Sequence, residues 1–148
     1  MKNVLWSLFV LLFVITGCDK ESRLKTKLEG TWELRSIEGG FRPAGDPSEF
    51  GPGNGRTMQF DKGSFKTTFP GQAPNTGKYR VEKSDTELNN EKFRYKLILQ
   101  HSNYNAELYF KLKGDQLVIH TGPVAADHVI QHYVKISDRA DLIAPDAY

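Results

Sequence analysis

From Leu28 onward the apolar residues of this chain recur at every second position, in short runs separated by turn residues. That spacing constrains the fold more than any other feature. Period two buries one face of a β-strand, whereas a helix needs a period of 3.6. "TWELRSIE" sets Trp32 and Leu34 against Glu33 and Arg35. "RTMQFD" sets Met58 and Phe60 against Thr57, Gln59 and Asp61, and "SFKTTF" groups Phe65, Thr67 and Phe69. "GKYRVEK" groups Tyr79 and Val81, and "FRYKLILQ" groups Phe93, Tyr95, Leu97 and Leu99. "AELYFKL" gives Leu108, Phe110 and Leu112, and "DQLVIHT" gives Leu117 and Ile119. "VIQHYVKI" groups Ile130, His132, Val134 and Ile136. About eight half-buried strands with turn signals between them predict an all-β sandwich or barrel.

The turns point to antiparallel hairpins. Asp61-Lys62-Gly63 reads as a type I turn with a glycine bulge, and Gly114-Asp115 as a tight two-residue turn. Asp85 and Asn89-Asn90 mark another connection. The joint "EGGFRPAGDPSEFGPGNGR" differs from the rest, with about eighteen residues rich in Gly and Pro. Loops of that length are mostly functional or disordered.

The first residues follow other rules. Lys2 precedes an apolar run from Val4 to Val14, about eleven residues, the size of a signal-peptide core. A helix crossing about 30 Å of hydrocarbon needs about twenty. The run leads to Ile15-Thr16-Gly17-Cys18, and Cys18 is the only cysteine of 148 residues, so no internal disulfide exists. This stretch resembles the bacterial lipobox. The resemblance implies cleavage before Cys18, diacylation of its thiol and a lipid-anchored chain. Two acyl chains hold a membrane stably where one does not. The next stretch, "DKESRLKTK", is polar and reads as a tether reaching about 30 Å when extended. The expected organisation is a signal peptide over 1–17, a lipidated cysteine and tether over 18–27, a barrel over 28–137 and a tail over 138–148. The tail has room for one helical turn, ended near Pro145.

"LEGTWELRSIEGG", with Gly30-Thr31-Trp32, resembles the opening of the lipocalin-like families. "MQFDKGSFKTTF" followed by "TGKYRVEKSDTEL" resembles small lipocalin-like lipoproteins of Bacteroidetes-type bacteria. The resemblance implies an eight-stranded antiparallel up-and-down barrel with a tryptophan closing one end. It also implies a first loop that lids the mouth, here carrying Phe41 and Phe50. Many lipocalins place an arginine over that tryptophan. The last strand here offers Lys135, and the nearest arginine, Arg139, lies beyond it. The implied location is the bacterial cell envelope, with the outer membrane expected. In enteric bacteria an aspartate in the place of Asp19 disfavours that membrane, a rule confined to them.

No catalytic constellation emerges: no Gly-x-Ser-x-Gly elbow, no phosphate-binding glycine loop, no His-Glu-x-x-His. The aspartates Asp61, Asp85 and Asp115 occupy turns, where carboxylates bond nearby backbone N–H groups. In a strand, His128 and His132 lie roughly 13 Å apart, too far to share an ion. A metal would need His120 or a bend at "GPVAADH". No enzyme activity, cofactor or metal is expected. A formal net charge of +2 with no basic block gives no footprint for nucleic acid.

The leading expectation is a membrane-anchored, non-enzymatic barrel that binds a small hydrophobic or amphipathic ligand. Trp32, Phe41, Phe50, Phe60, Tyr79, Tyr95 and His132 are its candidate contacts, with the tyrosine hydroxyls, Thr67 and His132 as polar handles. The alternative is a structural or protein-interaction lipoprotein, an inhibitor or assembly accessory, with a filled barrel. Its working surface would carry exposed aromatics such as Tyr104, Tyr109 and Tyr133. An enzyme ranks third.

Overall fold

The computed structural model describes residues 19–40, 46–121 and 128–140. Cys18, Phe41, the "GPVAAD" bend and the tail beyond residue 140 lie outside them. Eight strands form one closed antiparallel barrel in up-and-down order. They are β1 (Gly30–Gly39), β2 (Thr57–Asp61), β3 (Ser64–Thr68), β4 (Asn75–Leu88), β5 (Glu91–Gln100), β6 (Asn105–Lys113), β7 (Gln116–Thr121) and β8 (Val129–Ser137). The β1–β8 pairing closes it, with Leu34 opposite Tyr133 and Glu33 opposite Val134.

Three two-residue turns close one end. Asp61 pairs with Ser64 across Lys62-Gly63, and both turn residues have positive φ, 44° and 85°. That is the type I′ pattern, which matches strand twist better than the type I turn with a bulge that the sequence suggests. Leu88 pairs with Glu91 across Asn89-Asn90, again with positive φ, 51° and 63°. Gly114-Asp115 joins Lys113 to Gln116. The longer connections gather at the other end.

Alternation fills the interior. Trp32, Leu34, Phe60, Leu97, Leu117 and Ile119 are wholly buried, and Phe65 and Phe110 nearly so. Charged residues, including Lys66, Lys78, Arg80, Glu82, Lys96 and Glu107, take the alternate positions that face outward. Such a wall faces water; a membrane-spanning barrel carries an apolar band outside.

Residues 19–27, expected as part of a polar tether, and Leu28, expected as the start of the barrel, together form a helix, α1 (Asp19–Leu28). Leu24 and Leu28 stand four apart on one helical face and pack on the barrel core, Leu28 fully buried. Lys25 and Lys27 occupy the last turn, where the helix dipole favours cations. The last carbonyls of a helix lack internal partners. Here the Trp32 indole Nε1 donates to Leu28 O at 2.7 Å, and Lys135 Nζ donates to Lys27 O at 3.4 Å. Lys135 Nζ also lies 5.4 Å from the Trp32 ring centroid. Lys135, the last-strand cation noted in place of an arginine, thus lies over the tryptophan.

The pair "SD" at Ser84-Asp85, expected as part of a connection, is a bulge inside β4. Register shifts between Lys83 and Thr86 there. Ser84 Oγ accepts from Thr86 N at 3.2 Å and donates to Thr86 Oγ1 at 2.9 Å. A bulge bends its strand. Beyond it, the β4–β5 hairpin carries Leu88 and Phe93 onto Tyr109, a small second cluster apart from the main core.

Candidate functional site

The bend opens the barrel wall. β5 and β6 pair from Lys96 opposite Tyr109 to Gln100 opposite Asn105. Residues 91–95 and 110–113 carry no mutual pairs, although both segments are strands. A cleft of about 490 Å³ lies between them, within the range of small-ligand pockets. Leu24 of α1, Phe93, Tyr95, Phe110 and Leu112 line it, and its surface is mainly apolar. Lys92, Arg94, Lys111 and Lys113 alternate with those residues along the two strands and share the lining.

The bent hairpin is pinned on the outer face of β6 and β7. Phe93 packs edge-on against His120, ring centroids 4.6 Å apart, and Lys111 Nζ sits 4.9 Å over the Phe93 ring. Glu91 pairs with Lys111 at 2.7 Å and lies 4.0 Å from His120 Nε2. His120 Nδ1 meets His128 Nε2 at 3.1 Å, joining β7 to the residue before β8. Burial first, then His128, lowers the His120 pKa, with further lowering by Lys111 and His132 and an opposing pull from Glu91. Among the described residues, no group of three or more metal-ligating side chains forms.

This pair sets a pH dependence. Unfolded His120 takes a proton near its ordinary 6.5, and the buried side chain refuses it until lower pH. The unfolded state then binds more protons, so stability falls as pH drops through 6.5 toward the folded pKa. Thermal unfolding between pH 7.5 and 5 should show this fall, and His120→Gln should flatten it. An unchanged slope in the variant would assign the fall elsewhere.

The expected ligand contacts do not converge. Trp32 is sealed under the barrel, and Phe60 and Tyr79 pack edge-on at 4.9 Å within the core. The Tyr79 phenol is pushed up to about 12 by burial and by Glu29 and Asp61. Phe41 lies outside the described residues, and of the other six only Tyr95 lines the cleft. Phe50 packs against the core with the Arg56 guanidinium 4.6 Å over its ring.

His132, expected inside, faces outward. It pairs with Val118 and Ser36, out of phase with Leu117, Ile119 and Tyr133, and its Nε2 lies 3.0 Å from Glu38 Oε1. "VIQHYVKI" carries apolar residues on both faces, so alternation alone does not choose the inner one. Register with β7 does, and it turns Gln131, Tyr133 and Lys135 inward.

Of the aromatics expected on the surface, Tyr104 is 58% exposed, but Tyr109 and Tyr133 are buried. The described part of the first loop extends the wall along β1. Ile37 N donates to Ser48 O, and Phe50 N donates to Arg35 O, each at 2.8 Å.

The cleft residues Leu24 and Leu112 and the four cations were not singled out from sequence as site residues, and Phe93 and Phe110 were read only as inner-face aromatics. The alternation K-F-R-Y and F-K-L-K was visible, but reads as ordinary strand until the two segments are known to part. The chain matches no protein-family model, no curated protein and no solved structure.

Proposed function

We propose that this chain is a lipid-anchored, non-enzymatic envelope protein of lipocalin-like type that binds a small hydrophobic or amphipathic molecule. The observation that carries the reading is the apolar cleft of about 490 Å³ between β5 and β6. The lipobox-like sequence before Cys18 supports the anchor, and the closed eight-stranded up-and-down barrel supports the likeness to lipocalins. The ligand site of this reading is the flank of the barrel rather than its axis.

A second reading, an interaction protein with a filled barrel, draws on the packed interior around Trp32, Phe60, Leu117 and Ile119. Native mass spectrometry of the full chain purified from its host separates the two. A covalent lipid persists through denaturation, and a bound ligand does not. An added small-molecule mass lost on denaturation, and lost in a Leu112→Trp variant that fills the cleft, is the expected result. A chain carrying only covalent lipid would favour the interaction protein, and one carrying neither would remove the anchor as well.

A further inference from the structure

We propose that the occupant of the cleft is an anionic amphiphile, a single alkyl chain ending in a carboxylate or a phosphate. The inference rests on the ligand-binding reading above and names the chemistry of its ligand.

Two observations carry it. The first is the charge at the rim. Lys92, Arg94 and Lys113 are exposed, line the cleft, and make no ion pair or hydrogen bond among the described residues. Lys111 is paired with Glu91 at 2.7 Å, and Glu87 stands opposite Lys92 in the hairpin. Four cations thus face two carboxylates, and the balance at the rim is positive. Arg94 offers a planar fork that grips a carboxylate or phosphate through two N–H groups. Behind the rim, Phe93, Tyr95, Phe110 and Leu112 offer no charge, so an alkyl chain can follow the head inward.

The second observation is position. Leu24, which contributes to the cleft, lies five residues after Asp19 in an unbroken helix. At about 1.5 Å per residue, that is about 8 Å of axial rise. An anchor at Cys18 would therefore keep the cleft near the bilayer surface, where single-chain anions are found. A neutral lipid would leave the cations unused, and a cationic one would be repelled.

The test uses the full chain in phosphatidylcholine vesicles with three photoreactive probes of identical diazirine-bearing alkyl chain. One ends in a carboxylate, one in a phosphate and one in a hydroxyl. Cross-linked peptides are mapped by mass spectrometry and scaled to the vesicle-bound probe. One or both anions should label the peptides holding residues 93–95 and 110–112 about tenfold more than the alcohol, the scale of one charge-assisted hydrogen bond. Which anion labels more strongly separates a fatty-acid source from a lipid-phosphate source.

The double variant Arg94→Gln with Lys113→Gln should bring anion labelling down to the alcohol level and leave the alcohol unchanged. Both side chains are exposed, so folding is not at stake. Added salt should weaken the preference, since exposed charges are screened. Equal labelling by all three probes would overturn the anionic ligand and leave the binding reading standing. Labelling elsewhere but never in the cleft would overturn both.

Discussion

Replacing Trp32 with alanine should remove about 3–5 kcal/mol from the stability of the barrel, the usual cost of deleting a large buried aromatic. The ring is fully buried, so its area is lost and a cavity is left. Its indole also donates to Leu28 O at 2.7 Å, the last carbonyl of α1. The helix end would lose that cap. Trp32→Phe separates the two effects. It keeps most of the apolar volume but leaves a buried carbonyl without its donor, which costs about 1–3 kcal/mol.

Urea unfolding of both variants gives the stabilities, and amide exchange over residues 19–28 reports on the helix. Exchange there should speed up in both variants, because the phenylalanine cannot donate. Unchanged exchange in Trp32→Phe would mean that α1 is held without the indole bond, by its leucines and the Lys135 bond to Lys27 O. Domains of this size hold only about 5–15 kcal/mol in total, so the alanine variant should sit close to unfolding.

The barrel was legible in the sequence because alternation and turn chemistry agree along most of the chain. Trp32 with Leu34, Met58 with Phe60, and Leu117 with Ile119 fall on the inner face as their spacing requires. What escaped were features set by relations between strands. The inward face of β8 depends on its register with β7 and β1, and its own residues fit either choice. The apolar face of the helix is only two leucines, one of which reads equally well as the start of the barrel.

The cleft depends on the Ser84-Asp85 bulge, whose residues are also common in turns. Once the bulge is placed, the rest follows mechanically. The hairpin leans over β6, Phe93 leaves the barrel interior for His120, and the edges of β5 and β6 part. The site is therefore a by-product of bending, and its alternating cations gain a meaning that a continuous sheet would not give them.

Gly30→Ala should be comparably damaging, for reasons of backbone rather than side chain. Gly30 has φ of +122°, a conformation that essentially only glycine holds. A Cβ there would run into the backbone carbonyl of Ser137 and come within 2.8 Å of Lys135 Cε. Lysine could move, but the carbonyl belongs to β8 at the seam that closes the barrel. Strain and overpacking each cost about 1–3 kcal/mol, which together predict a loss of about 3 kcal/mol or more.

Gly114→Ala is the matched control. It too has positive φ, 57°, but lies in an open turn with nothing within 4 Å of the added Cβ. Its cost should be limited to backbone strain, about 1 kcal/mol. Urea midpoints at constant m-value compare the two directly. If Gly30→Ala cost no more than Gly114→Ala, the close approach of β1 to the end of β8 would be wrong. The Lys135 contact with Trp32 and α1 depends on the same approach and would fall with it.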